Sequence, residues 1–564
     1  MSSESHRSTK MGMALVVMLA GSGAALLYKG LSSGASGSNA ETLAGRGSAQ
    51  SFGEPTGPRP LGPVQPGAGV YRSEAPSVSS KARDAAVCAD CDVVLITVCS
   101  LRKDFLGVYG HPGNLSPAID ALASGGVWFE RAYSASNFTL ASLTAVLTGR
   151  YGSATGVTGW DKGLTVDVPT LPEILGLYGY RTAAFTTDAP SGFRPDYGLD
   201  RGFQHMEITP PPRNSPDGRF RGGSKEADGA AAVPAVDWLT EQPSDQPVFV
   251  MMHTRTAHFP FVVDPPEEGE DPTGVRALLW SAGQAEAENR GAQAMPGMAG
   301  GTAQQGIVEI EREDPLQTLV NRTGSPAVDV WRQTYAEGVE RMDRDVQELL
   351  GAVERRGRPT VVALVADHGE SLNDHGELLH GDAFFDGVIN VPFIVHAPGL
   401  EQHAGARTGV VSQTDVLPTL LDLVGATPPA GIDGKSLMSV LIGKSESPHS
   451  VVLSEGGVAK QEGDKLPGAV ISPPWIALKQ RRGCGSASSG LMDQGMPVCL
   501  YNMDEDPNQK SNVASLRPNI ARNLLERWNG FRAAHGRTGE VRELSPAFIK
   551  ELQRSGYDFS TGAP

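Results

Sequence analysis

Val361-Val362-Ala363-Leu364-Val365-Ala366-Asp367-His368-Gly369-Glu370 decides how this chain folds. An unbroken apolar run rich in β-branched residues predicts a strand buried on both faces. The run stops on an acid and a histidine, followed by glycine. The carboxyl edge of a parallel sheet is where open α/β folds keep their sites. A carboxylate and an imidazole side by side suit a divalent metal. The plainer alternative is a strand followed by a polar turn, and the rest of the chain decides between them.

Outward from this stretch, Asp92-Val93-Val94-Leu95-Ile96-Thr97-Val98-Cys99 passes the same test for a buried strand. Gly125 to Tyr133, Arg181 to Thr187, Val248 to Met252 and Val391 to Val395 read as further strands. Between them lie helical patterns: Ser116 to Ala123 with Pro117 at its first position, Pro169 to Tyr180, and a long helix from Val328 to Arg356. Strands alternating with helices predict an α/β fold, a large mainly parallel sheet flanked by helices. From Pro428 onward the strands shorten and turns multiply, which predicts a small C-terminal antiparallel sheet plus a final helix. The segment Ser136-Asn137-Phe138-Thr139-Leu140-Ala141 opens a short apolar helix. A helix starting near Thr139 places that hydroxyl among backbone amides that have no intrahelical partner, a ready anion site. An ordinary N-cap threonine is the competing reading.

The chain has 564 residues, a net charge of −16 and an isoelectric point near 5.3, which argues against a nucleic-acid partner. Residues 1–29 carry Arg7 and Lys10 before an apolar run from Met11 to about Tyr28. This is an export signal, read as an uncleaved membrane anchor in preference to a cleaved signal peptide. Any membrane contact is expected through this segment only. Residues 30–85 are Gly, Ser, Pro and Ala-rich, a disordered linker. The expected organisation is then a catalytic domain over 86–430, with an irregular acidic insertion at 264–325, and a C-terminal subdomain over 431–564. Five cysteines fit an exported protein with few bridges. A Cys484–Cys499 disulfide is favoured, with Cys88–Cys91 as a second pair and Cys99 left over.

Several segments, in order, resemble the sulfatase family of the alkaline-phosphatase-like superfamily. They are Val94 to Arg102, Leu147-Thr148-Gly149-Arg150, Thr170 to Leu175 with Gly179 to Ala183, and His258-Phe259-Pro260-Phe261. Ala366 to Glu370, His380-Gly381, Thr414 to Leu421 and Tyr501 to Pro507 continue the series. The resemblance implies a divalent metal and a nucleophile at the start of a helix. It puts Asp367 and His368 on the metal, Thr139 at the nucleophile position, and His258 and His380 beside substrate or leaving group. His253 and His375 are read as structural; Arg102 and Asp104 could reach the site edge, but a solvated loop is the preferred reading.

Two departures from the family pattern matter. The family's C/S-x-P-x-R frame, whose first residue is oxidised to an aldehyde, is here Thr139-Leu140-Ala141-Ser142-Leu143. Threonine cannot give that aldehyde, although relatives that transfer phosphoethanolamine or phosphoglycerol use threonine directly. The acid expected at the end of the first strand is Cys99. A thiolate suits zinc and not calcium or magnesium. Either Cys99, Thr139, Asp367 and His368 hold one zinc-like or manganese-like ion, or the metal site is broken. Two functions follow: a hydrolase or transferase acting on sulfate or phosphate esters of a small molecule, glycan or lipid, or a non-catalytic binding protein that keeps the fold.

Overall fold

A computed structural model describes residues 87–187, 193, 197–209, 231–258, 274, 276, 325–381, 383–457, 465–481, 483–484, 490–546 and 549. The N-terminal segment, the linker and nearly all of the 264–325 insertion lie outside the described residues. Among the described residues no helix is long and apolar enough to cross a membrane.

The large sheet has nine strands. Asp92–Val98 lies at its centre, parallel to Thr360–Ala366 on one side and to Val248–Thr254 on the other. Arg181–Thr187 and His205–Thr209 continue the parallel run outward. Beyond Thr360–Ala366 the short strand Phe393–His396 runs antiparallel, next to Val127–Tyr133. The three central strands are buried along their whole lengths. Full burial of both faces is what their unbroken apolar runs require, since a helical layer covers each side.

The two layers can be told apart from side-chain alternation. Thr254 Oγ1 and Thr256 Oγ1 both donate to the Asp345 carboxylate of the long helix Ser325–Arg356. That helix therefore covers the face opposite His253. A second acid of the same helix, Asp343, accepts from the Ala118 and Ile119 amides and so caps the helix Pro117–Ser124. The helix Thr139–Thr148, buried throughout, lies with Val416–Leu423 on the His253 face.

The small sheet is antiparallel, in the order Val452–Glu455, Gly468–Ser472, Trp475–Lys479, Met496–Asn502, Met492–Asp493. Its strands sort their side chains by period two. Ile471, Ile476, Leu478, Cys499 and Tyr501 pack with Tyr133, Phe384, Phe385 and Ile389. Val470, Ala477, Val498 and Leu500 pack with Leu524, Leu525 and Trp528 of the helix Pro518–His535. A Cβ at Gly468 would stand 2.7 Å from the Trp528 ring, so only glycine admits that ring. Disulfides join Cys88 to Cys91 and Cys484 to Cys499, and Cys99 is free and buried.

Candidate active site

The register of the three central strands builds the site. Thr97 pairs with His253 and Val365, and Val98 pairs with Thr254 and Ala366. Directly paired residues point to the same face, as do residues two apart along a strand. Thr97, Cys99, His253, Val365 and Asp367 therefore share one face at the carboxyl edge. Two further ladder bonds hold the strand ends in line: the Cys99 amide donates to Thr254 O at 2.9 Å, and the Asp367 amide to Val98 O at 3.0 Å. The chain then turns at Ser100, at φ +59°, which aims the Ser100 amide at Asp367 Oδ1, 3.1 Å away. The same oxygen accepts the His368 amide at 2.6 Å. Oδ2 of Asp367 has no hydrogen-bond partner.

His253 Nδ1 lies 2.9 Å from Thr97 Oγ1, and its Nε2 has no hydrogen-bond partner. Burial is the main cause that pushes its pKa down to about 4, so the ring is neutral near pH 7. Burial, then the Asp367 charge, push the Cys99 thiol well up. Burial opposes the charge on Asp367. The neighbouring imidazoles and the two backbone amides outweigh it and hold that carboxyl below its ordinary value.

Thr139 is the first residue of its helix. Phe138 occupies the N-cap, and no side chain caps the first turn. The competing reading of Thr139 as an N-cap residue does not hold. Thr139 Oγ1 lies 3.3 Å from His368 Nε2 and 3.4 Å from Cys99 Sγ. His368 Nδ1 stands 2.8 Å from Gly369 O. A carbonyl can only accept, so Nδ1 carries the proton and Nε2 turns its lone pair toward Thr139. Burial lowers the His368 pKa to about 4, which keeps that lone pair free of a proton at neutral pH.

The other two predicted histidines close the edge. The His380 ring centroid is 4.2 Å from that of His368 and 5.1 Å from that of His258. His380 Nδ1 is 3.1 Å from Glu370 Oε1, and burial pushes the Glu370 carboxyl up to about 8. Arg255 Nη2 reaches His258 at 3.1 Å, and its charge is felt at Cys99 and His253.

The structure brings Cys99, Thr139, Asp367, His368, His380 and His258 into one cluster. It corrects one expectation, and it places His253, read as structural, at the same strand edge beside Cys99 and Asp367. The signal was present in Val248-Phe249-Val250-Met251-Met252-His253, a second buried strand that runs into histidine. Arg102 is 6% exposed and not part of a solvated loop. It donates to Asp104, Asp374 and the Glu370 carbonyl, and so braces the turn beneath the site. His375 stacks on Phe385, with ring centroids 3.6 Å apart.

A threonine hydroxyl at a helix start facing a carboxylate-and-imidazole strand edge, on a largely parallel sheet, is the arrangement of the alkaline-phosphatase-like fold. The family model described as Sulfatase matches residues 92–426, and the chain belongs to the sulfatase family, whose members are metal-dependent ester hydrolases. It is similar to Delta 4,5-hexuronate-2-O-sulfatase of Bacteroides thetaiotaomicron, 26% identical over 446 residues, covering 74% of this chain and 84% of that protein. It is similar to human arylsulfatase K, 23% identical over 486 residues, covering 80% and 84%. Among solved structures, the phosphonate monoester hydrolase of Agrobacterium radiobacter superposes with a TM-score of 0.58 at 20% identity, covering 81% of this chain and all of that one.

The residues present fit a metal. One donor atom each from Cys99, His253 and Asp367 lies within 4.8 Å of the others, all buried. Two of these side chains carry a buried polar atom with no hydrogen-bond partner.

Proposed function

We propose that this protein hydrolyses sulfate or phosphate esters with Thr139 Oγ1 as the nucleophile. One observation carries the reading: a neutral, tautomer-fixed imidazole nitrogen 3.3 Å from the hydroxyl at the first position of a helix. That is the nucleophile–base geometry of covalent catalysis, slightly loose as is common without substrate. His368 Nε2 takes the Thr139 proton as Oγ1 bonds to sulfur or phosphorus. The ester bond to the leaving alcohol breaks, and His380 or His258 supplies the proton that the alcohol needs. Water then cleaves the threonine ester and restores the hydroxyl. Helix amides at Thr139 and the Arg255 guanidinium offset the anion's charge, in a chain whose arginine position of the family frame is Leu143. A divalent metal at the strand edge would, when bound, polarise the ester oxygens.

The substrate class is an ester on a small molecule, glycan or lipid. Support for a glycan comes from the relatives' names, which include a hexuronate sulfatase and an ulvan-active sulfatase. Export through residues 1–29, to the cell envelope as a membrane-anchored domain or beyond it, belongs to the same proposal. Its support is the pair of disulfides, a bond type of oxidising compartments.

The test is turnover of aryl phosphate, aryl phosphodiester and aryl sulfate by metal-loaded protein. Thr139→Ala should lower kcat on the best substrate by at least about 10³-fold. Turnover that survives this substitution would remove Thr139 from the chemistry.

A further inference from the structure

The family reading places His368 on the metal. In the structure His368 Nε2 faces Thr139, while another imidazole stands in the cluster of metal-type donors. We propose that Cys99, His253 and Asp367 form a thiolate–imidazole–carboxylate site for a zinc-class ion, with His253 supplying the imidazole. This concerns the same edge as the ester-hydrolase reading. Its test reads metal and not turnover, so either can fail alone.

Three observations carry it. First, the three donors come from the ends of adjacent parallel strands, in register and on one face, with donor atoms within 4.8 Å of one another. Three protein donors, with a fourth position kept for water or substrate, is the count that zinc hydrolase sites use. Second, the bonding is incomplete where a cation would sit. Asp367 is fully buried, and its Oδ2 accepts nothing. Among the described residues the basic group within 4 Å of it is His368, whose Nε2 stands 3.5 Å from Oδ2 and, with the ring proton on Nδ1, brings no charge. A buried carboxylate needs a compensating charge. His253 Nε2 is likewise buried and unpartnered. Third, His253 is already oriented as a metal-bound histidine is. Its Nδ1 is held by Thr97 Oγ1, which itself reaches the Met252 carbonyl at 3.4 Å. Fixing one ring nitrogen this way leaves the other as the ligand. A sulfur and a nitrogen among three donors select zinc over calcium and magnesium, which take oxygen. His368 is then released from the metal and serves Thr139.

Cobalt substitution tests this without an assay. Four of the five cysteines are in disulfides, so Cys99 is the one thiol able to give a thiolate–cobalt absorption band. Untagged full-length protein, stripped with chelator, should bind one equivalent of Zn²⁺ that excess Ca²⁺ does not displace. Its Co²⁺ form should show near-ultraviolet thiolate absorption, lost in Cys99→Ser. His253→Gln should weaken Co²⁺ binding by more than about 100-fold, beyond the usual cost of losing an outer-shell contact. Thr97→Val, close in shape and a safeguard should His253→Gln misfold, should weaken it by roughly 10-fold or more. His368→Gln should keep both band and stoichiometry. The proposal is overturned by failure to bind Zn²⁺, by a thiolate band that survives Cys99→Ser, or by metal binding that needs His368 and not His253. Unchanged Co²⁺ affinity in Thr97→Val would also overturn it.

Discussion

The central strand carries a buried acid at one end and faces a buried acid at the other, and the two are treated in opposite ways. Asp92, 1% exposed, accepts from Arg356 Nε at 2.7 Å, Arg358 Nε at 3.0 Å and the Val248 amide at 3.0 Å. Both carboxylate oxygens are engaged, and the two arginines go on to bind backbone carbonyls around 242–246 and Asp90. Asp367, at the carboxyl edge, is fully buried. One of its oxygens accepts two amides and the other accepts none. Equal burial with unequal completion separates an edge whose acid is paired through both oxygens from one whose acid is left open on one side.

The largest effect should come from the completed end. Asp92→Ala leaves two part-buried guanidinium groups without their acid, which should cost roughly 3 kcal/mol in urea unfolding. Metal affinity should not change. A loss below about 1 kcal/mol would mean that the amino-edge cluster is not structural.

A second completed cluster gives a smaller, pH-dependent effect. The charges of Arg102 and Arg332 outweigh burial and hold the Asp374 carboxyl down to about 2. Its folded-state pKa is below the ordinary value. The stability it contributes is therefore present above about pH 4 and lost as pH falls toward 2. Discounted for its partial exposure, this is ~1–2 kcal/mol. Unfolding measured from pH 6 down to pH 2 should show that part of the acid limb missing in Asp374→Asn. An unchanged limb would contradict the pairing.

Asp367→Asn should have the smallest effect on metal-free stability, less than ~1 kcal/mol. Asparagine keeps an oxygen for the Ser100 and His368 amides, so what is lost is the small net attraction that holds the carboxyl below its ordinary value. A loss of ~3 kcal/mol or more would show that Asp367 is as complete as Asp92.

The sequence carried the sheet well because its central strands are buried on both faces. Their apolar runs are unbroken, so element type and order could be read directly. Asp367-His368 and Thr139 were legible for a related reason: each sits at the boundary of a strongly patterned element. His253 was harder. A histidine ending a buried strand is a ligand or a core residue according to its register against Cys99 and Asp367, and register is a long-range property. Arg102 was misread because its local sequence, Ser100-Leu101-Arg102-Lys103-Asp104, is polar. Its burial depends on Asp374 and on Tyr335, whose hydroxyl accepts the Arg102 amide and donates to Ser100 O. Partners more than 200 residues away leave no local trace.

The comparison of the two carboxylates is tested most directly by the shift in thermal unfolding midpoint on adding Zn²⁺ to wild type, Asp92→Asn and Asp367→Asn. Anything that binds only the folded state raises that midpoint. Asp92→Asn should start lower than wild type and keep the full rise. Asp367→Asn should start close to wild type and lose it. An equal rise in Asp367→Asn and wild type would contradict the assignment of the carboxyl edge as the metal-binding edge of this sulfatase-family protein.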